Sequence, residues 1–157
     1  MGAKIRLESI AESEFNDFME TMLPLYIEER SAADQVPRAV AEQFARRQCT
    51  ELLPRGYHTP CHYFFRIIDE VTNLAVGSVW VRLETSFGEA YIYNITVDPK
   101  HRRRGYASAA LNALTHLARS KGCARLALNV FARNQAAQLL YRKLGFSVVS
   151  LHMNKLL

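Results

Sequence analysis

The amino-acid sequence predicts an α/β (α+β) fold in which helices cover a mixed β-sheet. Three observations predict this class. Short alternating or β-branched runs indicate strands, longer runs with apolar residues every three or four positions indicate helices, and Gly or Pro residues separate the two. In chain order these give one strand, two helices, three strands, and then a helix, a strand, a helix and a last strand. Elements in this order pack as one sheet with helices on its faces.

The first part of the chain supplies one strand and two helices. Lys4–Glu8 alternates apolar and polar residues, which is typical of a short strand. Apolar residues recur at helical spacing over Ser13–Arg30, where Pro24 predicts a kink or an interruption. Ala39–Leu53 predicts the second helix, and the Pro and Gly residues of Leu53–Pro60 predict a loop.

The second part of the chain supplies the remaining strands. β-branched and aromatic runs predict strands at Cys61–Asp69, Ala75–Leu83, Glu89–Val97, Arg125–Val130 and Ser147–Met153. Amphipathic spacing predicts helices over Gly105–Lys121 and Asn134–Lys143.

The composition limits the kinds of protein this can be. A chain of 157 residues with 49% hydrophobic and 22% charged residues predicts one globular domain over residues 1–157. The net charge of +5 permits an anionic partner without requiring one. No apolar run approaches the roughly 18 residues of a membrane span. Three widely spaced cysteines favour neither a disulfide framework nor a zinc site. We therefore expect a cytoplasmic protein with no metal and no membrane partner.

A cluster of basic residues stands between a predicted strand and a predicted helix, in the sequence VDPKHRRRGYASAAL. The first turn of a helix offers unpaired N–H groups and a positive dipole end, which together bind phosphate. Gly105 lets the backbone approach a ligand, Ala107 is small, and Ser108 adds a hydroxyl. Neither the Walker A pattern nor GxGxxG occurs. The junction therefore predicts a phosphate site of another kind.

The residues around this junction resemble the GNAT superfamily of N-acetyltransferases, and the chain looks like a small bacterial-type single-domain member. The family's pyrophosphate loop reads Arg/Gln-x-x-Gly-x-Gly/Ala, which Arg102–Ala107 matches after a strand, YIYNITVDP, similar to the one in the family. Downstream, LALNVFARNQAAQLLYRKLGF resembles the second family signature, with Asn134, Tyr141 and the pair Gly145-Phe146 in place.

The resemblance implies a fold, a reaction and a set of roles. It implies a mixed, largely antiparallel sheet of six to seven strands flanked by about four helices. It implies an enzyme that transfers acetyl from acetyl-CoA to a primary amine by direct attack on the thioester. Tyr141 would protonate the leaving thiolate and the amide of Val97 would stabilise the oxyanion. The residues implied to bind the cofactor are Ile95, Thr96, Val97, Arg102, Arg103, Arg104, Gly105, Tyr106, Ala107, Ser108, Asn134 and Tyr141.

Two questions stay open at this point. The first is whether the protein turns over, because relatives that acetylate protein N-termini carry a glutamate where this chain has Asn129. A non-catalytic acyl-CoA-binding module is therefore the alternative, while a nucleic-acid partner lacks a recognised module. The second is the base that takes the acceptor's proton, for which the candidates are Glu28, Glu29, Glu84, Glu89 and His58.

The acceptor side of the cleft is predicted from the short segment after Gly145-Phe146. Only eleven residues remain, which suffices for one edge strand and leaves no C-terminal loop to wall the cleft. The walls would then be Leu23–Arg38, the loop at Leu53–Pro60 and the turn at Thr85–Gly88, with the cleft open to solvent or closed by a second subunit of a homodimer. The glutamates in and beside these segments predict a cationic amine acceptor.

Overall fold

The computed structural model describes residues 2–86 and 88–157 of the chain. The strands are β1 (Ile5–Ser9), β2 (His62–Asp69), β3 (Ala75–Glu84), β4 (Glu89–Val97) and β5 (Arg125–Leu128). The α-helices are α1 (Phe15–Asp34), α2 (Arg38–Leu52), α3 (Tyr106–Ser120) and α4 (Gln135–Lys143). Phe87, in the turn predicted to border the acceptor cleft, lies outside the described residues.

The contacts of the chain divide it into two compact units. The sheet unit comprises residues 2–18 and Leu53–Asn129, and the helical unit comprises Met19–Leu52 and Val130–Leu157. Helix α1 begins in the first and continues in the second. It runs through Pro24 without interruption, so the proline does not end the helix as it could have done.

The sheet unit contains one five-stranded sheet in the order β1-β2-β3-β4-β5. Neighbouring strands from β1 to β4 are antiparallel, and β5 lies parallel to β4. This confirms the predicted α/β class with a mixed, largely antiparallel sheet and four α-helices. The apolar face of α3, with Ala110, Leu111 and Leu114, is buried, and so are most of the apolar residues of β3 on both of its faces.

The predicted strand count of six to seven is wrong for the described residues, which contain five. The missing sixth strand is the one predicted at residues 147–153, which have no regular secondary structure. A strand forms only where another strand accepts its backbone hydrogen bonds. The alternation of side chains in the sequence does not supply such a partner.

The helical unit has a small core between α1 and α2. Leu23 and Ile27 of α1 pack with Ala41 and Ala45 of α2. The two alanines allow the helix backbones to approach closely, and both are almost completely buried. Partly buried residues surround this core: Met22, Tyr26, Val36 and Cys49.

One partly buried hydrogen bond in the sheet unit fixes the tautomer of a histidine. Trp80 Nε1 donates to His62 Nδ1 at 2.9 Å, and the imidazole stacks on Tyr93 with ring centroids 5.6 Å apart. Burial and the nearby Arg82 guanidinium lower the pKa of His62 to about 4. The ring is therefore neutral at neutral pH, with its proton on Nε2, because Nδ1 must accept.

We predict that His62 makes the stability of the fold depend on pH. The folded state binds this proton less readily than the unfolded state, so stability is complete above about pH 6.5 and falls as the pH drops towards 4. The full shift corresponds to about 3 kcal/mol, and since the ring is only half-buried we expect about 1–2 kcal/mol.

Urea unfolding at pH 7 and pH 4.5 measures this loss. The variant His62→Asn should lose less stability between the two pH values than the wild type does. The control His116→Asn changes an exposed histidine and should lose as much as the wild type. Equal losses in all three proteins would contradict the prediction.

Candidate functional site

The site begins where β4 separates from β5. The two strands pair only over Glu89–Ile92 of β4, while β3 remains paired with β4 up to Val97. The register of β3 and β4 shifts between Trp80 and Val81, which leaves Tyr93 as an extra residue in β4. Such a bulge bends a strand and increases its twist. From Tyr93 to Val97, the side of β4 that faces away from β3 therefore carries backbone groups without a strand partner.

The direction of these backbone groups is fixed by one hydrogen bond. The N–H of Asp98 donates to the carbonyl of Val76 in β3 at 2.8 Å. Successive residues of a strand direct their N–H and C=O groups to opposite sides. The amides of Val97 and Ile95 therefore point away from β3, to the open side. The backbone N–H and C=O groups of Thr96 point towards β3. Thr96 therefore separates the two residues whose amides point to the open side.

The close approach of β3 and β4 at this point requires a glycine. A Cβ atom at Gly77 would lie 2.1 Å from the carbonyl oxygen of Thr96. Any side chain at Gly77 would push β4 away from β3, because backbone cannot move aside as a flexible side chain can. The position of the Ile95–Val97 edge thus depends on a residue in the neighbouring strand.

The basic loop after β4 is held to the end of that strand by its own first arginine. After a 3-10 turn at Pro99–His101, Arg102 Nε donates to the carbonyl of Val97 at 3.1 Å. This uses the carbonyl on the open side and leaves the N–H of Val97 available. Arg102, Arg103 and Arg104 are all exposed.

The loop then enters α3 through two residues in the left-handed region. Arg103 has φ of 63° and Gly105 has φ of 83°. Gly105 is the residue before the first turn of α3, and no side chain caps the helix there. The amides at the start of α3 are therefore left for a ligand, and the glycine adopts its torsion without the strain that a Cβ would bring. This geometry fits a phosphate group or another anion.

Tyr106 is the first residue of α3, and its side chain is engaged elsewhere. The ring is buried, and its hydroxyl donates to Asp69 Oδ2 at 2.5 Å. This bond lowers the pKa of Asp69 and raises the pKa of Tyr106. Asp69 Oδ1 also accepts from the N–H of Val71 at 2.8 Å, in the turn between β2 and β3. The start of α3 is therefore anchored to that turn.

The second group of predicted residues lies in the helical unit, on α4. Asn134 precedes α4 and caps it, since its side-chain oxygen accepts from the N–H of Ala137 at 3.2 Å. The helix ends in a Schellman motif, in which Phe146 N–H bonds to the carbonyl of Tyr141 and Gly145 has φ of 93°. Phe146 returns to pack on Tyr141, with ring centroids 5.6 Å apart. The Gly-Phe pair of the signature thus holds the tyrosine in place.

Tyr141 lies in an environment that keeps its hydroxyl protonated. Burial is the main cause that raises its pKa, and the charge of Glu29 adds to it. Glu29 in turn is half-buried, and burial together with the charge of Glu28 raises the pKa of its carboxyl, while Arg133 opposes this shift. Both groups belong to the helical unit. A protonated phenol and a carboxylate of raised pKa are the components of an acid–base pair.

The other candidate bases are engaged elsewhere. His58 Nε2 lies 2.9 Å from Glu12 Oε1, and both side chains are exposed. Glu89 Oε1 lies 3.7 Å from Arg82 Nη2. Glu84 accepts from the N–H of Ser86, which is the main cause that lowers the pKa of its carboxyl. The pKa of the Glu84 carboxyl is thus shifted away from neutral pH, whereas burial shifts the pKa of the Glu29 carboxyl towards it.

Two further kinds of feature do not occur within residues 2–86 and 88–157. No three or more His, Cys, Asp or Glu side chains are grouped there in a way that could hold a metal ion. No helix in the same ranges has the length and apolar character needed to cross a membrane.

The sequence around this geometry matches that of a known family. Residues 18–146 match the sequence model of the acetyltransferase (GNAT) family. The chain belongs to this family. The match includes both predicted signatures and confirms the predicted enzyme class, an N-acetyltransferase that uses acetyl-CoA.

Individual relatives agree with the assignment. The chain is 34% identical to the uncharacterized N-acetyltransferase YycN of Bacillus subtilis, over 96% of this chain and 97% of that one. The crystal structure of YycN matches with a TM-score of 0.90 over 98% of this chain and 99% of that chain. A ribosomal protein bS18-alanine N-acetyltransferase of Escherichia coli is 41% identical over 42% of this chain and 45% of its own length. The aminoglycoside N-acetyltransferase AAC(6')-Iy, solved with CoA, shares the fold with a TM-score of 0.56 at 16% identity, covering 99% of this chain and 95% of that chain.

Sequence reasoning missed three features of this region. It did not find the bulge at Tyr93, the bond from Arg102 to the carbonyl of Val97, or the anchor between Tyr106 and Asp69. A buried tyrosine and an aspartate 37 residues apart carry no local signal of pairing. Arg102 was predicted to bind the cofactor, and the bond from its Nε to the backbone of Val97 is an additional contact of this side chain.

Proposed function

We propose that this acetyltransferase binds acetyl-CoA along β4 and the start of α3 and transfers the acetyl group to a primary amine. The observation that carries this proposal is the open side of β4 at Ile95 and Val97, which continues into the uncapped start of α3 at Gly105. The pantetheine arm would extend along Ile95–Val97 as an added strand. The pyrophosphate would accept from the amides of residues 103–108.

Within that binding mode the arginines and Asn134 have different tasks. Arg102 holds the loop to Val97, while the exposed Arg103 and Arg104 supply positive charge at its rim. The side-chain oxygen of Asn134 caps α4, so its NH₂ group would donate to the cofactor. Tyr106, Ala107 and Ser108 would contribute backbone amides, and Ser108 also a hydroxyl.

The chemistry would be a direct transfer. The neutral amine attacks the thioester carbonyl, and the N–H of Val97 stabilises the charge that develops on the oxygen. The carbon–sulfur bond then breaks, and Tyr141 gives its proton to the departing sulfur. Glu29 takes the proton that the amine loses, in a step for which its raised pKa makes it a stronger base than an exposed glutamate. Asn129, which is exposed after β5, takes no part as a base.

Both units would serve one catalytic domain, because the family match at residues 18–146 includes segments of each. We place this domain in the cytoplasm, where the cysteines, none of which forms a disulfide, would stay reduced.

The acceptor would be a cationic amine, with Glu28 and Glu29 as the acidic groups of the helical unit. Since Glu84 and Glu89 are already partnered, they contribute less to this preference than the sequence predicted.

Thiol release from acetyl-CoA tests the proposed reaction. The purified protein is assayed with a panel of polyamines, aminoglycosides, amino acids, peptides with free N-termini and lysine peptides. We expect amine-dependent release of CoA with at least one class, together with the acetylated amine by mass spectrometry. Firm binding of acetyl-CoA without release for any class would favour the non-catalytic binding module.

Gly105→Asp should lower the affinity for acetyl-CoA at least tenfold. Aspartate caps helices well, so the variant should still fold, but its carboxylate would stand where the pyrophosphate binds. Gly122→Asp is a matched control, because Gly122 follows α3 with φ of 85° and meets the same backbone strain. Calorimetric titration measures both. A Gly105→Asp protein that binds as tightly as the control would refute the assignment.

Tyr141→Phe should lower kcat by roughly 10²-fold with little change in the Kd of acetyl-CoA. The phenylalanine keeps the packing on Phe146 and removes only the proton donor. Tyr63→Phe, which alters an exposed tyrosine on β2, should retain normal kcat. The acid role would be withdrawn if Tyr141→Phe turned over normally when chemistry limits the rate.

Glu29→Gln should lower kcat at neutral pH by roughly 10²-fold. In the wild type, kcat should fall as the pH drops through the pKa of Glu29, which lies above its usual range, because protonation removes the base. This acid limb should be absent in the variant. Glu28→Gln, at the neighbouring exposed position, should keep the limb. An unchanged pH profile in Glu29→Gln would exclude Glu29 as the base.

A further inference from the structure

In the described part of the chain, two hydrogen-bond donors on one face of the sheet are buried without a partner. They are Nε of Arg82 in β3 and Nδ2 of Asn94 in β4. A buried polar group without a hydrogen bond costs free energy, and such groups are rare in folded proteins unless water or a ligand completes them. Neither side chain has a part in the acetyl transfer proposed above.

The strand register places both donors on the same face of the sheet unit. Asn94 is the partner of Trp80 across β3 and β4, and Arg82 lies two residues after Trp80, so both side chains point to one side. His62 of β2 is the direct partner of Arg82. Tyr93 stacks on Trp80 with ring centroids 4.7 Å apart and on His62 at 5.6 Å. The face therefore combines aromatic rings with N–H donors.

The guanidinium of Arg82 is only loosely paired. Glu89 Oε1 lies 3.7 Å from Arg82 Nη2, which is close enough for an ion pair but too long for a hydrogen bond. A guanidinium has five N–H groups, and this side chain is 33% exposed, so a ligand can reach it. Glu89 thus balances part of the charge of Arg82 without hydrogen-bonding to it.

His62 adds a donor without adding a charge. Its Nδ1 accepts from Trp80 at 2.9 Å, which leaves the proton on Nε2. Burial and the charge of Arg82 lower the pKa of the imidazole to about 4, so the ring is neutral and does not repel the guanidinium. A planar guanidinium with a second N–H donor beside it matches the two oxygens of a carboxylate.

The charges around Arg82 decide between the anions that a guanidinium binds. Glu89 forms the ion pair, and Glu84 is close enough for Arg82 to lower the pKa of its carboxyl. Two carboxylates repel a dianionic phosphate more strongly than they repel a carboxylate with a single charge. Polyamines offer this face only further donors and positive charge. A carboxylate is therefore the group that fits.

We propose that this face binds the acceptor of the acetyl transfer, and that the acceptor carries a carboxylate held by Arg82 and His62 and a second oxygen atom held by Asn94. The inference rests on the reaction proposed above and names its substrate class. Amino acids and short peptides with a free carboxylate are favoured over polyamines and aminoglycosides. Asn94 directly precedes Ile95, where the proposed pantetheine edge begins, so the face continues along β4 to the cofactor.

Fluorescence of Trp80, the only tryptophan in the chain, measures binding on this face whether or not acetyl transfer occurs. The probes are N-acetylalanylalanine and its C-terminal amide, titrated with CoA present. The acid should bind about tenfold more tightly than the amide, and Arg82→Gln should abolish this preference. Arg66→Gln, at an arginine of the same face that Glu14 already holds at 3.2 Å, should keep it. Equal Kd values of the two probes for the wild type would overturn the proposal.

Glu89→Gln separates recognition from a structural role of the ion pair. The substitution removes the carboxylate that competes for Arg82, so the acid probe should bind more tightly while the Kd of the amide stays unchanged. If the ion pair only supported the fold, the variant would bind both probes equally well or more weakly. A Glu89→Gln protein that binds the acid no more tightly than the wild type would contradict the proposal.

Thiol release with alanylalanine, its C-terminal amide and spermidine completes the test. The KM of the dipeptide should be the lowest of the three, and in Arg82→Gln it should rise to that of the amide. If no amine is acetylated while the fluorescence preference holds, the proposed reaction fails and the carboxylate site stands. If spermidine has a lower KM than the dipeptide, the reaction stands and the carboxylate site is wrong.

Discussion

The partial pairing of β4 with β5 is the constraint on which the candidate site depends. A strand paired along its whole length on both sides has no free backbone groups and cannot bind an extended ligand arm. Here β5 accompanies β4 only as far as Ile92, the bulge at Tyr93 turns the strand, and Gly77 keeps the rest of β4 close to β3. The N–H groups of Ile95 and Val97 are therefore directed to the open side while β3 holds the strand in place, which is the condition for stabilising a transient charge.

The acid–base groups depend on a different kind of support. Tyr141 and Glu29 have raised pKa values because both are partly removed from water, and the charge of Glu29 adds to the shift of Tyr141. These shifts keep the phenol of Tyr141 protonated, as a proton donor must be, and make the carboxylate of Glu29 a stronger proton acceptor. The Schellman motif at Gly145 and the contact of Phe146 with Tyr141 fix the donor. The second signature of the family thus corresponds to α4, to the Schellman motif that ends this helix, and to the Tyr141 ring that Phe146 contacts.

The sequence predicted the helices and strands that follow a local apolar pattern, and it predicted the basic loop before α3 from its arginines and Gly105. β2, β3, β4 and α3 follow their alternating or helical apolar spacing closely, and Gly105 was found because a phosphate-binding turn needs it. Residues 147–153 were predicted as a strand and have no regular secondary structure. Alternation indicates which side chains would share a face, and it does not indicate whether a partner strand is present. The sequence could not single out Glu29 among the five candidate bases either. The raised pKa of Glu29 depends on burial and on the charges of Glu28 and Arg133, which only the folded structure shows.

The bond between Tyr106 and Asp69 has a consequence for how this protein can change over evolution or in design. Asp69 accepts from the turn between β2 and β3 and from the first residue of α3, so the turn and the cofactor loop share one carboxylate. A β2–β3 hairpin transplanted from another member of the family would need a hydrogen-bond acceptor at the position of Asp69. Without it, the start of α3 would lose its hydrogen bond to the turn. The two segments are separated in sequence but depend on the same side chain.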